Sequence, residues 1–190
     1  VYAIENPKLL GLVILVLIST LFGFSYWSLL PAWAVEALNV QSDGLGILMT
    51  IMGVGALAGT LALAGMSKTK NKGMILIVSA LIWGVTLAGF ALVTSYTVAI
   101  PFLLAMGAVS AIFMSMNMTL MQTMAAPEMR GRMMSLNMMT FGLMPVSSLP
   151  LGALAEYRNS TADALFISGV LLTLGTVIFV FVYPQFRKIE

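Results

Sequence analysis

Hydrophobic positions form six long stretches along the chain, and short polar segments separate them. A helix needs about 20 apolar residues to cross a hydrocarbon core of ~30 Å, and each stretch is of that order. The predicted spans are residues 9–31, 44–65, 74–93, 98–119, 133–155 and 164–183. These stretches are too long and too continuously apolar for barrel strands, so helices must satisfy their backbone hydrogen bonds in lipid. The pattern predicts an all-α integral membrane protein with six transmembrane helices.

Positive charges fall on alternate connections between these spans. Alternate connections and the two ends of the chain lie on the same side of the membrane. The basic residues on that side are Lys8, Lys68, Lys70, Lys72, Arg130, Arg132, Arg187 and Lys188. Arg158 is the exception, and it lies between Glu156 and Asp163. Because cytoplasmic loops are enriched in Lys and Arg, this distribution predicts a multi-pass protein of the inner or plasma membrane with both termini in the cytoplasm.

Composition narrows the possible functions. Hydrophobic residues make up 60% of the 190 residues and charged residues only 8%, and histidine and cysteine are absent. The chain therefore offers no thiol nucleophile, histidine triad or Cys/His metal site. Met114, Met116 and Met118 alternate along a helix and so point in different directions, which argues against a Cu(I) site. We predict no enzymatic activity, metal or cofactor, and no nucleic-acid partner, since the net charge is only +2.

Glycines and prolines give two spans special features. Gly55 and Gly59 are four residues apart in the second span, a spacing that lets two helix backbones approach closely. In the fifth span, Pro145 and Pro150 predict a helix break, because proline removes a backbone donor and clashes with the preceding turn. Three spans followed by three that enter from the opposite side also permit a 3+3 inverted repeat.

Several segments resemble the major facilitator superfamily. The best match is 127–132 (PEMRGR), which is similar to the Pro-x-x-Arg-Gly-Arg loop before that family's eleventh helix. Residues 30–36 (LPAWAVE) and 53–59 (GVGALAG) resemble its seventh and eighth helices. Residues 67–72 (SKTKNK) occupy the place of the repeated Asp-Arg-x-Gly-Arg-Arg loop, although Ser67 replaces the acid.

The resemblance covers nearly the whole chain, as the C-terminal half of a twelve-helix fold. It implies that residues 1–190 form the C-terminal six-helix bundle and that an N-terminal bundle lies outside this chain. The branch that it resembles most contains macrolide-efflux and enterobactin-exporter proteins.

By this resemblance, the first, fourth and fifth helices line a central cavity, whereas the third and sixth face lipid. The implied cavity residues are Phe22, Tyr26, Trp33, Ser110, Asn117, Gln122, Asn137, Met144 and Ser148. Hydrogen bonds between helices are an alternative role for Asn117 and Asn137, and an interfacial aromatic belt is one for Tyr26 and Trp33.

The basic loops are implied to hold helix bundles together in the outward-facing state. The residues concerned are Lys68, Lys72, Arg130, Gly131 and Arg132. Membrane topology alone is the alternative explanation of these charges. Charged residues are absent from every span centre, and we expect the nearest acid, Glu36, to be an interfacial carboxylate rather than a proton carrier.

These observations predict half of a secondary active transporter that exports small apolar or amphipathic molecules by alternating access. Its expected partners are the lipid bilayer, an N-terminal six-helix half and a small-molecule substrate. The alternative is a six-span membrane subunit or scaffold that transports nothing.

Overall fold

The computed structural model describes residues 6–39, 42–65 and 71–188, and these residues form helices and turns without a strand. The helices are α1 (Pro7–Ile18), α2 (Tyr26–Leu38), α3 (Ser42–Gly65), α4 (Lys72–Ala91), α5 (Tyr96–Met124), α6 (Arg130–Phe141), α7 (Met144–Arg158) and α8 (Thr161–Val182). A π-helical turn, Ser19–Gly23, lies between α1 and α2, and 3₁₀ turns occupy Pro127–Met129 and Pro184–Lys188.

Six segments are long and apolar enough to cross a membrane, which confirms the predicted number of spans. They are Pro7–Leu38, Asp43–Gly65, Lys72–Ala91, Tyr96–Met124, Pro127–Arg158 and Thr161–Val182, here called spans 1 to 6. Span 1 consists of α1, the π turn and α2, and span 5 contains α6 and α7. Each span begins before its predicted first residue, and spans 1, 4 and 5 also extend past their predicted ends, whereas span 2 ends as predicted and spans 3 and 6 end one or two residues earlier. Span 1 runs to Leu38 rather than ending at Pro31, which lies inside α2.

Small residues bring spans 2 and 4 into direct backbone contact. A Cβ atom on Gly55 would overlap the backbone of Leu104, and one on Gly59 would overlap that of Ala108. The residue numbers of the contacting pairs rise together in both helices, so the two spans run parallel. This is expected, because the second and fourth spans cross the membrane in the same direction. The predicted role of the glycine pair in close packing is confirmed.

Spans 3 and 6 pack by the same principle, but they run antiparallel. A Cβ atom on Gly84 would lie 2.9 Å from the backbone nitrogen of Thr173, and one on Gly169 would overlap Ala88. Position numbers rise along one helix as they fall along the other, because the two spans cross the membrane in opposite directions. The outer surfaces of both spans carry aliphatic side chains, consistent with the predicted lipid contact, although span 3 also has a fully buried face.

Pairwise contacts follow the pattern expected of two inverted three-helix units. Span 2 packs on span 4, and span 5, its counterpart in the second unit, packs on span 1. Likewise span 3 contacts span 4, and span 6 contacts span 1. Exchanging the two units maps these contacts onto one another, in keeping with a 3+3 inverted repeat. The contact of span 5 with span 6, however, has no comparable counterpart between the described residues of spans 2 and 3.

The segment after span 6 folds back over the end of the bundle. Phe186 is fully buried and packs edge-to-face against Phe179, with ring centroids 5.1 Å apart. Its ring also fills the space beside Gly11, where a Cβ atom would lie 2.6 Å from it. This turn ties spans 1 and 6 together at the end of the bundle where span 1 begins and span 6 ends.

Candidate functional site

Span 1 is broken near its middle by the π turn. The backbone amide of Phe24 donates to the carbonyl of Ser19, five residues earlier, at 3.1 Å. The carbonyl of Phe22 is then free to accept hydrogen bonds from the hydroxyls of Ser25, at 2.9 Å, and Ser168 of span 6. Side-chain hydroxyls thus satisfy a backbone carbonyl that would otherwise be unpaired at mid-membrane depth.

Span 5 is broken at Gly142 and Leu143, directly before Pro145. Because proline has no N–H, the carbonyl of Phe141 loses its normal helical donor. The amide of Leu143 donates to the carbonyl of Thr140 at 3.0 Å, an i to i−3 bond in place of the regular i to i−4 bond. The predicted opening of this helix is therefore present beside Pro145, whereas α7 continues through Pro150.

An aromatic cluster joins the two breaks. Phe24, just after the π turn, lies 5.8 Å between ring centroids from Phe141, the last residue of α6. Phe24 also packs edge-to-face on Trp83 of span 3 at 4.8 Å, and Trp83 contacts Phe113 of span 4 at 5.9 Å. These four rings, which we call the aromatic junction, bring four spans together where two helices lose their regular hydrogen bonding. Irregular helix segments of this kind are frequent at functional sites.

A groove of about 380 Å³ opens beside the junction, between spans 4 and 5. Its lining residues are Met114, Ser115, Met118, Asn137, Met138 and Phe141. Asn137 is 2% exposed, and its Oδ1 atom has no hydrogen-bond partner among the described residues. Since buried polar atoms are normally paired, this oxygen is suited to accept a hydrogen bond from a bound molecule or a water. Flexible methionines next to it suit apolar molecules of varied shape.

Three of the other polar cavity residues predicted from the sequence, Tyr26, Ser110 and Asn117, lie inside the bundle. Asn117 is fully buried, and its Nδ2 donates to the carbonyl of Leu12 in span 1 at 3.3 Å. Tyr26 is also buried, with its hydroxyl beside the side chain of Ser110. These residues connect span 1 to span 4. For Asn117, the interhelical hydrogen bond anticipated as an alternative is present.

The remaining predicted cavity residues lie apart from the groove. Trp33 is fully buried against Phe90, with ring centroids 4.1 Å apart, so it is not part of an interfacial belt. Phe22 lines a second, apolar cavity of about 440 Å³ between spans 1, 5 and 6. Met144 and Ser148 are half-buried in α7. Gln122 is exposed, and its amide nitrogen lies 3.9 Å from the sulfur of Met134.

The basic loop between spans 4 and 5 contacts a helix terminus. Nε of Arg130 donates to the carbonyl of Ala125 at the C-terminal end of α5, at 3.4 Å. A cation at this position interacts favourably with the negative end of the helix dipole. Gly131 and Arg132 are exposed beside it. In the other basic loop, Lys72 is the half-buried first residue of α4, and Lys68 lies outside the described residues.

Charged groups at the opposite end also bind helix termini. Oε2 of Glu36 accepts a hydrogen bond from the backbone amide of Thr161, the first residue of α8, at 2.9 Å. Arg158, the exception to the charge rule, forms a salt bridge with Asp163 at 3.4 Å. Glu36 therefore joins spans 1 and 6 at the bundle's end, in keeping with an interfacial carboxylate.

Sequence reasoning missed the break in span 1 and all four rings of the aromatic junction. Phe24, Trp83, Phe113 and Phe141 were not among the predicted cavity residues, because an aromatic residue in an apolar span does not show which helices it contacts. Ser168 gave no signal either, since its hydrogen bond to span 1 joins residues 146 positions apart. In span 5, by contrast, Pro145 indicated irregular structure in the sequence.

Comparison with known proteins agrees with this architecture. The family model described as Major Facilitator Superfamily matches residues 12–188. The chain is also 26% identical over 171 residues to a protein of Staphylococcus aureus named Staphyloferrin A transporter. That alignment covers 88% of this chain but 42% of the relative, so the chain spans less than half of the relative's length. With the match extending over nearly all of its length, this six-span chain belongs to the major facilitator superfamily, a family of membrane transporters rather than enzymes.

Proposed function

We propose that this chain is the C-terminal half of a secondary active transporter that exports small apolar or amphipathic molecules by alternating access. The observation that carries the proposal is the aromatic junction, where the broken spans 1 and 5 meet beside a groove containing an unpaired Asn137 oxygen. Discontinuous helices near the midplane are a recurrent basis of transporter binding sites. The groove is lined by methionines, an aromatic ring and neutral polar groups, which favours uncharged cargo with a hydrogen-bond donor.

The faces of spans 2 and 5 support a missing partner bundle. Both spans have a smaller buried share than any other span. Their exposed side chains are large and apolar, and Leu61 and Leu149 are 74% and 73% exposed. In the proposed transporter, an N-terminal six-helix bundle covers part of these faces, and the two bundles rock against each other around the groove.

We further propose that the end of the bundle carrying Lys8, Lys72 and Arg130 faces the cytoplasm. Glu36 and Asp163 lie at the other end, so the two ends differ in the sign of their charges. This asymmetry supports an orientation set by the excess of basic residues in cytoplasmic loops.

Reconstitution with a partner half tests the function. The chain, an N-terminal half of a related transporter, and both together are placed in vesicles, and flux of a lipophilic dye, a macrolide and staphyloferrin A is measured. Flux that requires both halves supports the proposal. Stable assembly of the halves without flux of any cargo supports the alternative, a non-transporting membrane subunit.

Asn137→Leu is expected to lower transport about tenfold while leaving stability within about 0.5 kcal/mol of the parent. Losing one hydrogen bond to a cargo in a water-poor groove costs about 1–2 kcal/mol, whereas removing an unpaired buried oxygen carries no such penalty. Transport assays and thermal unfolding in detergent measure the two effects separately. As a control, Asn117→Leu breaks the bond to Leu12 and is expected to reduce stability by about 0.6 kcal/mol. A destabilised Asn137→Leu with normal transport per folded molecule would show that Asn137 serves the fold alone.

Replacing Arg130 and Arg132 together by alanine is expected to shift the balance of inward- and outward-facing states about two- to fivefold. Each basic contact with a helix terminus contributes about 0.3–1 kcal/mol. Because the natural sequence contains no cysteine, a single cysteine introduced into the groove at Met138 reports which state is accessible to a water-soluble thiol reagent. Arg158→Ala, at the other end of the bundle, is the control. Equal labelling of the parent, the double variant and Arg158→Ala would show that the basic loop affects membrane topology only.

A further inference from the structure

A polar cavity lies at the basic end of the bundle, between spans 2, 3 and 4. It has a volume of about 460 Å³, and Ser115 belongs both to it and to the groove beside the aromatic junction, so the two spaces adjoin there. Its lining residues are Thr60, Leu63, Ala64, Lys72, Ser115, Met116 and Thr119. Among the described residues, Lys72 is the only charged group in this lining, and no carboxylate forms an ion pair with it. The described lining thus presents a cation and three hydroxyl-bearing side chains without a counter-charge. The hydroxyls of Thr60 and Thr119 donate to carbonyls of their own helices, so Lys72 supplies the main contact for an anion.

An apolar groove adjoins this cavity and leads away from the basic end. It has a volume of about 330 Å³, and Leu63 belongs to both spaces. The groove's lining residues are Leu63, Asn71, Met74, Ile75, Val78, Ser79, Ile82, Val109 and Ile112. From Asn71 to Ile82 it follows the outer face of span 3 for about 16 Å at 1.5 Å per residue. Span 4 contributes Val109 and Ile112 to the groove. These residues lie about one helical turn farther from the basic end than the residues of span 4 that line the polar cavity.

We propose that the two spaces together bind one anionic phospholipid. Its phosphate lies at Lys72 among the hydroxyls, and one acyl chain follows the groove past Val78 toward Ile82. Basic pockets between transmembrane helices on the cytoplasmic side are suited to acidic headgroups. The site is in the inner leaflet if the proposed orientation holds, but binding itself does not depend on orientation or on transport.

The polar cavity and the apolar groove lie end to end, and this arrangement favours a lipid over a soluble anion. A free phosphate would occupy the polar cavity and leave the groove unused. A lipid fills both, because its charge and its hydrocarbon are joined in the same order as Lys72 and the aliphatic residues of span 3. Met74, Val78 and Ile82 are all exposed in the isolated bundle, so a chain can enter from the side without displacing packed residues.

Native mass spectrometry of the purified protein in detergent tests the headgroup contact. The protein is titrated with dioleoylphosphatidylglycerol, dioleoylphosphatidylcholine or glycerol 3-phosphate. We expect one molecule of phosphatidylglycerol to be retained in preference to the other two. One lysine near an acidic headgroup contributes about fivefold in affinity, so Lys72→Gln is expected to lower retention about fivefold. Lys8→Gln, which removes an exposed charge at the same end, is expected to change it less than twofold. Equal effects of the two substitutions, or equal retention of both lipids, would overturn the headgroup assignment.

A second pair of variants tests the acyl-chain contact. Val78→Trp fills the groove and is expected to reduce retention at least fivefold, whereas Val177→Trp on the exposed face of span 6 leaves it unchanged. Unchanged retention in Val78→Trp overturns the proposed path of the chain. Preferential binding of glycerol 3-phosphate would show that the cavity takes a soluble anion and that the lipid proposal is wrong.

Discussion

Gly55→Leu is expected to destabilise the bundle by about 3 kcal/mol or more, the upper end of the range for overpacked cores. Any side chain at this position meets the backbone of Leu104, which cannot rotate away as a flexible side chain can. Spans 2 and 4 must therefore separate along their whole contact, with loss of the packing that holds helices together in lipid. Thermal unfolding in detergent, followed by size-exclusion chromatography, measures the loss of folded monomer.

Gly53→Leu is the matched control, because a Cβ atom on Gly53 meets nothing within 4 Å. Both variants replace glycine by leucine in the same helix, two residues apart, so helix propensity and hydrophobicity change equally. Gly53→Leu is expected to leave the unfolding temperature unchanged or slightly raised. If both variants have the same unfolding temperature, the inferred close contact between spans 2 and 4 is wrong.

Trp83→Ala is expected to lower the free energy of unfolding by about 3 kcal/mol. Trp83 is fully buried, and its indole contacts the rings of Phe24 and Phe113 as well as the backbone near Gly23. Removing a core tryptophan costs about 3–5 kcal/mol in water-soluble proteins. We expect the lower end of this range. Because lipid solvates apolar groups, the free energy lost on truncation comes mainly from packing contacts. The same assay of thermal unfolding in detergent measures it.

Trp27→Ala serves as the control for this substitution. Trp27 is 47% exposed on span 1, next to the same region, and its removal leaves no cavity inside the bundle. We expect a change below about 1 kcal/mol. A second readout is the circular dichroism of the aromatic side chains, which should weaken strongly only in Trp83→Ala. Comparable losses in both variants would contradict the central position of Trp83.

The number of spans and the break beside Pro145 were predictable from the sequence, because both depend on local chemistry, whereas the break predicted at Pro150 was wrong. A run of apolar residues fits the bilayer wherever it lies in the chain, and Pro145 removes a donor whatever surrounds it. The break in span 1 was not predictable. Residues 19–23 contain no proline, and their π turn is stabilised by the hydroxyl of Ser168, a residue of span 6.

Asn117 and Asn137 illustrate the same limit at the candidate site. The sequence offers the same two interpretations for both: a cavity-lining amide or a hydrogen bond between helices. The Oδ1 atoms of both residues lack a partner among the described residues, but the Nδ2 atom of Asn117 donates to the backbone of span 1, whereas Asn137 lies beside a groove. Neighbouring residues cannot distinguish these outcomes, since each depends on which helix stands opposite.

By itself, the sequence determined that this chain has six segments able to cross the membrane and that its basic residues are concentrated on alternate connections. These properties follow from the low solubility of peptide groups and charges in hydrocarbon, which acts on each segment separately. The spacing of Gly55 and Gly59 permits a close helix contact, and the structure shows which helix they meet. Only the tertiary structure decided that spans 1 and 5 meet at Phe24 and Phe141, and that Lys72 stands at the head of an apolar groove. Such arrangements arise from packing between distant segments, where the shape of each helix face selects its neighbour.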